Sequence, residues 1–241
     1  MNTTKHTIVI TGGSGRFGSI LKKNSKSKKI FFPEKNSLNI LSTDSIKKYL
    51  TKIKPKILIH LAGLSRPMNI HEKKICKSID LNIIGTANIV KVCSKLKIKL
   101  IYFSTNYVYP CKRGNYSEES SLLPINNYAW SKLGGETSVQ MYKNSLILRA
   151  CMTEKPFVHK KAFANVKSNF IFHEDMVKIL FRLINQKGII NIGGKTSTIY
   201  NFAKKNTSDV KKIFWNKKIF NFPKNPSMNL SKLNKIISKE N

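Results

Sequence analysis

Residues 8–18 have the sequence Ile-Val-Ile-Thr-Gly-Gly-Ser-Gly-Arg-Phe-Gly, a short β-branched run that ends in a glycine-rich turn. Such a run is typical of a strand that is buried on both faces of a sheet. Three glycines at intervals of three residues allow a tight turn, close approach of the backbone to a pyrophosphate, and close packing of the next helix. We expect a positive φ at Gly15. The residues predicted to contact a dinucleotide here are Gly12, Gly15, Arg16, Phe17 and Gly18.

Strand and helix patterns then alternate along the chain. Short apolar β-branched runs predict strands, and longer runs with an apolar spacing near 3.6 residues predict helices. This alternation is typical of a parallel sheet with helices on both faces, so we predict an α/β, Rossmann-type doubly wound parallel sheet. The predicted strands include residues 6–11, 28–32, 56–61, 99–103 and 145–149, and the predicted helices include 43–52 and 80–96.

A second informative stretch, Asn-Tyr-Ala-Trp-Ser-Lys, places Tyr128 and Lys132 four residues apart. In a helix, residues at this spacing stand on one face. A cation held beside a phenol favours the phenolate, which lowers the tyrosine pKa and makes the group a usable proton donor and acceptor. Further upstream, the hydroxyl pair Ser104-Thr105 follows the apolar run 99–103.

Together these motifs resemble the extended short-chain dehydrogenase/reductase superfamily, in its sugar-nucleotide-modifying branch. The resemblance runs from about residue 6 to residue 150. Residues 104–109, Ser-Thr-Asn-Tyr-Val-Tyr, are nearest to the Ser-Thr-Asp-Tyr-Val-Phe of the dTDP-4-dehydrorhamnose reductase group. Residues 227–233 resemble the C-terminal Leu-Asp-x-Ser-Lys-Leu of that group.

The resemblance implies three catalytic residues and an NAD(P)-dependent oxidoreductase that acts on a sugar nucleotide. Tyr128 would exchange a proton with the sugar oxygen, and Thr105 would hydrogen-bond the same oxygen. Lys132 would lower the Tyr128 pKa and hold the nicotinamide ribose, while the cofactor supplies the hydride. The expected reaction is reduction of a nucleotide-linked 4-keto (deoxy)sugar.

The same resemblance implies cofactor contacts outside the glycine-rich turn. They are Asn39 and Ile40 beside the adenine, Leu61, Ala62 and Gly63 near the inner ribose, and Tyr128 and Lys132. The end of the second strand, Phe-Pro-Glu-Lys at residues 32–35, places an acidic and a basic residue side by side. An acidic residue would bind the ribose 2′-hydroxyl of NAD(H), whereas a basic one would accept the 2′-phosphate of NADP(H). The choice stays open, with a slight preference for NADP(H).

Residues 106 and 107 discriminate among the activities of this branch. Sugar 4,6-dehydratases carry Asp-Glu directly after the hydroxyl residue to move protons, which Asn106 and Tyr107 cannot do at neutral pH. Epimerase-reductases related to GDP-fucose synthase carry a cysteine there, and Asn106 is not a thiol. A 4-keto sugar reductase is therefore the first hypothesis. The alternatives are an NDP-sugar 4-epimerase and a non-catalytic regulatory subunit that binds the dinucleotide.

The predicted division assigns residues 1–150 to an NAD(P)-binding Rossmann domain. Residues 151–241 would form a small C-terminal substrate-binding lobe, interleaved with the last strand and helices of the same domain, and short for the reductase group. We expect Asp175 to cap a helix at 176–185. His60 is expected to be packed at a strand end, and Asn82 to have a structural role in the helix.

Charge and composition narrow the expected partners. The 241 residues include 44 Lys and Arg against 12 Asp and Glu, a formal net charge of +32. Because the lysines are spread along the whole chain, we interpret the charge as compositional bias, and expect no specific nucleic-acid partner. A positive field would still attract an anionic nucleotide-sugar substrate.

The four cysteines are widely separated, without C-x-x-C spacing. This favours free thiols in a reducing compartment and no metal site. No apolar run reaches the roughly 18 residues of a membrane span, and the first strand begins too early for a signal peptide. We therefore expect a cytoplasmic protein without a membrane partner, and leave a homodimer open.

Overall fold

A six-stranded parallel sheet is the centre of the computed structural model, which describes residues 6–25, 27–216 and 223–239. The strands of the described residues are β1 (Ile8–Thr11), β2 (Ile30–Phe31), β3 (Ile57–His60), β4 (Lys99–Thr105), β5 (Ser145–Ala150), β6 (Met152–Thr153), β7 (Lys161–Phe163), β8 (Lys167–Ser168), β9 (Ile171–Phe172), β10 (Gly188–Ile192), β11 (Ser197–Thr198) and β12 (Lys211–Ile213). The sheet order is β10-β5-β4-β3-β1-β2, which confirms the predicted Rossmann-type fold.

The α-helices of the same residues are α1 (Arg16–Asn24), α2 (Thr43–Ile53), α3 (Ile70–Lys73), α4 (Ile75–Ser78), α5 (Gly85–Lys95), α6 (Asn127–Gln140), α7 (His173–Arg182), α8 (Ile199–Lys204) and α9 (Ser231–Ser238). Among them, none has both the length and the apolar character of a membrane span. A π-helical turn at Ile79–Ile84 precedes α5, so the predicted helix 80–96 is interrupted near its start.

The register of the sheet brings the ends of its central strands to one edge. Thr11 of β1 lies opposite His60 of β3, which lies opposite Tyr102 of β4. All four residues of β1 and all four of β3 are buried, as their β-branched sequences predict. Residues that directly follow these strands therefore lie along the same edge, where ligands bind in sheets of this type.

The chain divides into two compact units. The first comprises the described residues of 1–104, 126–148 and 184–188, and the second those of 105–125, 149–183 and 189–241. The second unit has a core of its own, in which Phe157, Val166 and Ile199 are buried. It also holds the buried Arg149, whose Nη1 donates to the Tyr109 hydroxyl at 2.8 Å and the Glu118 carbonyl oxygen at 3.1 Å.

The N-termini of α2 and α7 differ in how far the local sequence determines where the helix begins. Ser42 caps α2, since its hydroxyl accepts a hydrogen bond from the Ser45 backbone N–H. The predicted Asp175 cap is wrong. Helix α7 begins earlier, at His173, because the chain turns directly out of β9. Asp175 therefore lies in the first turn, where its carboxylate pairs with Lys178 at 3.0 Å.

The second predicted strand, residues 28–32, is shorter in the structure than expected. Lys29 belongs to a turn in which its N–H donates to the Ser27 hydroxyl, so β2 begins at Ile30. Pro33 follows closely and lacks the N–H that would continue the hydrogen-bond ladder of the strand.

The four cysteines are all free thiols, which confirms the prediction.

Candidate functional site

Two glycines of the first turn make the close packing of this edge possible. Gly12 has φ +75°, and a Cβ there would lie 2.6 Å from the Ala62 backbone nitrogen. A Cβ on Gly18 would overlap the Gly12 carbonyl oxygen. The absence of side chains therefore lets the turn after β1 touch the residues that follow β3. It also lets α1 pack against that turn.

Gly15 has a different role from the one expected of it. Its φ is −70°, so the predicted positive φ is wrong; Gly12 takes the left-handed conformation instead. Among the residues that the structure describes, a Cβ on Gly15 would meet only the Gly12 carbonyl oxygen within 4 Å, at 3.2 Å. The space beside Gly15 is thus open at the N-terminus of α1, where backbone N–H groups lack intrahelical partners.

The side chains of Arg16 and Phe17, two residues that the sequence predicts to contact a dinucleotide, point in different directions. The Arg16 guanidinium donates from Nη2 to the Ser65 hydroxyl at 3.1 Å, which ties α1 to the loop after β3. Phe17 is buried, and its ring centroid lies 5.3 Å from that of Phe103. Arg16 is therefore at the open edge of the site, whereas the Phe17 side chain belongs to the core.

His60 is a structural residue, as predicted. It is buried, its Nδ1 is 2.8 Å from the Thr11 hydroxyl oxygen, and its Nε2 is 3.2 Å from the Thr86 hydroxyl oxygen. Burial, and then the charge of Lys132, lower the pKa of His60 to about 3. A neutral imidazole with both nitrogens engaged fixes the ends of β1 and β3, and it takes up no second proton at neutral pH.

Asn82, in the π-helical turn, connects the loop after β3 to α6. Its Oδ1 accepts from the Leu64 N–H at 2.7 Å, and its Nδ2 donates to the Leu64 carbonyl oxygen and the Ser131 hydroxyl, each at 2.8 Å. A Cβ on Gly63 would lie 2.7 Å from Asn82 Oδ1. These contacts confirm the predicted structural role, and they hold residues 61–64 against the helix of Tyr128.

Asn39 and Ile40 lie in the turn before α2. Asn39 Oδ1 accepts from the Leu41 N–H at 3.1 Å, while its backbone N–H donates to the Ser45 hydroxyl at 3.0 Å. Ile40 is buried, and its carbonyl oxygen accepts from Asn88 at 3.1 Å. The Asn39 side chain therefore shapes its own turn through its oxygen.

Helix α6 carries Tyr128 and Lys132 on one face, as the spacing predicts. Asn126 caps the helix by accepting from the Ala129 N–H at 2.9 Å. The next residue, Asn127, donates from its side chain to the Glu72 carboxylate at 2.5 Å. The Asn126 cap and the hydrogen bond from Asn127 to Glu72 of α3 set the position of the next residue, Tyr128, which is half-buried.

Lys132 packs on a tyrosine that sequence reasoning missed. Its ammonium lies 4.1 Å from the centroid of the Tyr102 ring, and the Tyr102 hydroxyl donates to the Lys132 carbonyl oxygen at 3.0 Å. Burial lowers the pKa of Lys132 to about 7, while the Glu136 carboxylate raises it. The same helix face thus presents an amine that exchanges its proton near neutral pH.

A second missed residue, His71, packs edge-on against Tyr128, with ring centroids 5.1 Å apart. His71 is fully buried and its Nδ1 lies 2.7 Å from the Ser78 hydroxyl oxygen. Within the described residues, its Nε2 has no hydrogen-bond partner. No local sequence signal indicates this contact, because it joins two segments that are more than fifty residues apart.

The hydroxyl pair at the end of β4 is divided between the two units. In the first unit, the buried Ser104 hydroxyl has no hydrogen-bond partner among the residues that the structure describes. In the second unit, Thr105 is buried, and its hydroxyl oxygen accepts from the Tyr107 N–H at 3.3 Å. That hydroxyl also donates to Asn106 Oδ1 at 3.4 Å.

Most of the predicted residues meet within the first unit. The contacts above join the turn at 12–18, the loop at 61–64 and helix α6. The open space beside Gly15 and the N–H groups of α1 fit a phosphate, and the unpaired Ser104 hydroxyl offers a further polar contact. These residues therefore fit a dinucleotide. A parallel sheet with this turn and a Tyr-x-x-x-Lys helix defines a Rossmann-type protein of the extended short-chain dehydrogenase/reductase class.

Within that class, a family model described as the RmlD substrate binding domain matches residues 6–179. The chain belongs to this family, which confirms the resemblance drawn from its motifs.

Two of the curated relatives carry different names. Over 151 residues the chain is 30% identical to methionine adenosyltransferase 2 subunit beta of Xenopus laevis, a match that covers 58% of this chain and 45% of the relative. Over 136 residues it is 25% identical to dTDP-4-dehydrorhamnose reductase of Mycolicibacterium smegmatis, covering 55% and 41%. The matched stretch thus spans less than half the length of either relative.

Among solved structures, the dTDP-4-dehydrorhamnose reductase of Bacillus anthracis, in complex with NADP, has a TM-score of 0.84. It is 21% identical in sequence, and the match covers 98% of this chain and 93% of that one. The likeness shows a shared fold along almost the whole chain.

Proposed function

We propose that this chain is an NAD(P)-dependent reductase of a nucleotide-linked 4-keto (deoxy)sugar. The observation that carries the proposal is the pair Tyr128 and Lys132 on one face of α6, held by Asn82 against the loop after β3. Membership of the RmlD family and the names of a sequence relative and of solved structures support it. The cofactor is NADP(H) or NAD(H).

The proposed roles follow from the chemistry of each group. The glycine-rich turn and Arg16 bind the phosphates, and Lys132 donates hydrogen bonds to the nicotinamide ribose. The cofactor supplies the hydride. The Tyr128 hydroxyl gives a proton to the sugar oxygen, and the Thr105 hydroxyl donates a hydrogen bond to that oxygen. Residues 151–241 are the proposed substrate-binding lobe.

Substitution of Tyr128 by Phe tests the assignment. General acid catalysis is typically worth about a hundredfold or more, so Tyr128→Phe should lower turnover by that factor. Affinity for the dinucleotide should change little, because the ring and its contact with His71 remain. Cofactor oxidation with a panel of 4-keto sugar nucleotides measures the first quantity, and titration calorimetry the second.

Near-parental turnover by this variant would show that the proton comes from another group. Net consumption of the reduced cofactor also separates a reductase from a 4-epimerase, since an epimerase regenerates its cofactor in each cycle.

A second candidate function is that of an accessory subunit that binds a dinucleotide without turnover. It is favoured by the relative named methionine adenosyltransferase 2 subunit beta, which is 30% identical over the matched residues. Dinucleotide binding without turnover of any sugar nucleotide, together with co-purification with a methionine adenosyltransferase, would support this function over the reductase.

A further inference from the structure

Tyr102 of β4 is a fully buried residue to which the proposed reaction assigns no role. Its ring faces the side chain of Lys132, whose ammonium nitrogen lies 4.1 Å from the ring centroid. Its hydroxyl donates to the carbonyl oxygen of the same lysine at 3.0 Å. Both residues belong to the first unit. One tyrosine therefore contacts both ends of Lys132, the backbone through its hydroxyl and the ammonium through the face of its ring.

The ring of Tyr102 is held in place from other sides as well. The imidazole of His60, opposite it in the neighbouring strand, stacks with it at a centroid distance of 6.1 Å and an interplanar angle of 27°. Gly135 leaves space for the hydroxyl, because a Cβ there would lie only 2.7 Å from the Tyr102 hydroxyl oxygen. The sheet and α6 thus fix the position of the ring, and a ligand does not have to order it.

The attraction between the ring and the ammonium does not need a charged tyrosine. Burial first, and then the Glu136 carboxylate and Tyr128, raise the pKa of Tyr102 well above its ordinary value, while a hydrogen bond with the Thr86 side chain lowers it. The phenol is therefore neutral, and the negative face of its π-system attracts the cation. Such a contact is stronger where water is excluded.

The other titratable groups that face Lys132 or this ring, among the described residues, are Glu136, His60 and Tyr128. Burial lowers the pKa of Lys132 to about 7, and the Glu136 carboxylate raises it. His60 is neutral, since burial and the charge of Lys132 lower its pKa to about 3. The ring face of Tyr102 and the Glu136 carboxylate are thus the groups that favour the ammonium against the cost of its burial.

We propose that Tyr102 is a positioning residue for the dinucleotide, whose ring holds the Lys132 ammonium where that group can bind the nicotinamide ribose. The proposal deepens the proposed function and rests on it, because Lys132 is the lysine assigned to that ribose. Since Tyr102 is fully buried, it acts through Lys132 and not by touching the cofactor or the sugar. A tyrosine that only filled the core would affect folding and leave the titration of Lys132 unchanged.

The first measurement is the titration of the Lys132 amine in the full chain, by competitive labelling with acetic anhydride and mass spectrometry of the labelled peptide. Tyr102→Leu removes the ring face, so the pKa of Lys132 should fall by about half a unit to one and a half units. Tyr102→Phe keeps the ring and should titrate like the parent. Tyr142→Leu is the matched control and should not move the titration, because the Tyr142 hydroxyl donates instead to the carbonyl oxygens of Cys93 and Ile98.

A second comparison tests the ring even where Tyr102→Leu does not fold. Tyr102→Phe is compared with a chain that carries a difluorinated phenylalanine at the same position. The fluorinated ring is close to phenylalanine in size, but its face is less negative, so the pKa of Lys132 should be lower than in Tyr102→Phe. Equal titration of Lys132 beside the two rings would overturn the proposal.

The last measurement is the affinity for NADP(H) at several pH values, by titration calorimetry. A lower pKa of Lys132 means that the ammonium is lost at lower pH. The fall in affinity with rising pH should therefore move to lower pH in Tyr102→Leu and in the fluorinated variant, and an affinity profile that does not follow the titration of Lys132 would overturn the proposal. Neither measurement uses turnover, so failure of the reductase function would appear separately, as a parent chain that oxidises no cofactor with any 4-keto sugar nucleotide.

Discussion

Gly12 and Gly15 stand three residues apart in one turn, yet a side chain has a different cost at each. At Gly12 the φ of +75° and the 2.6 Å approach to the Ala62 nitrogen act together, so any Cβ strains the backbone and forces two segments apart. At Gly15 the backbone is already in a conformation that any residue adopts. The first glycine therefore serves folding, and the second leaves space beside the helix terminus.

We accordingly predict that Gly15→Val folds but binds NADP(H) at least about tenfold more weakly, because the side chain fills the space proposed for the pyrophosphate. Calorimetric titration measures the affinity, and circular dichroism checks the fold. Unchanged affinity in a folded variant would remove the turn from the cofactor site.

The cost of a side chain at Gly12 can be compared with its cost at Gly188, because both glycines have a left-handed backbone conformation. Gly188 has φ +80°, and a Cβ there would meet no atom of the described residues within 4 Å. Gly188→Ala should therefore cost only the backbone strain, about 1–2 kcal/mol of the free energy of unfolding. Gly12→Ala should cost clearly more, and chemical denaturation measures both. Equal losses would show that the contact with Ala62 relaxes freely.

At the scale of the element, α6 was predictable from its sequence because its signals are local. A spacing of four residues places Tyr128 and Lys132 on one face, whatever the rest of the chain does. The contacts of that face with Tyr102 and His71 were not predictable, since they come from segments far along the chain. The Asp175 cap failed for a related reason, as a short strand fixes where α7 begins.

Helix α6 also sets a pH dependence. With the pKa of Lys132 at about 7, the ammonium is lost as the pH rises through that value. Dinucleotide affinity that depends on the ammonium should therefore fall above about pH 7. Glu136→Gln removes the carboxylate that raises this pKa, so the fall should move to lower pH. Affinities measured on both sides of neutrality check this, with the exposed Glu119→Gln as control.

An identical pH profile of the dinucleotide affinity in the parent and in Glu136→Gln would contradict the coupling between Glu136 and Lys132.

The effect of Lys132 on folding stability should change with pH in the direction opposite to its effect on dinucleotide affinity. Between about 7 and the ordinary value of 10.5 for lysine, the unfolded chain carries a proton that the folded chain lacks. The contribution of Lys132 to the free energy of unfolding therefore rises with pH across that range.

For the whole molecule, the net charge of +32 is a source of self-repulsion in the folded state. Added salt screens such repulsion, with a Debye length of about 10 Å at 0.1 M. We predict that the midpoint of thermal unfolding rises between low and moderate sodium chloride concentrations. Calorimetric scans at a series of sodium chloride concentrations test this. A midpoint that stays constant or falls with salt would mean that the lysines are already compensated in the folded state.

The division of the chain into two units has a consequence for how the protein can change during evolution. Each unit is assembled from three separate segments, so the chain passes from one unit to the other five times. No single genetic exchange can therefore replace the second unit as a block. Diversification of that unit must proceed by insertion and deletion within its own segments, with the flanking strands kept in place.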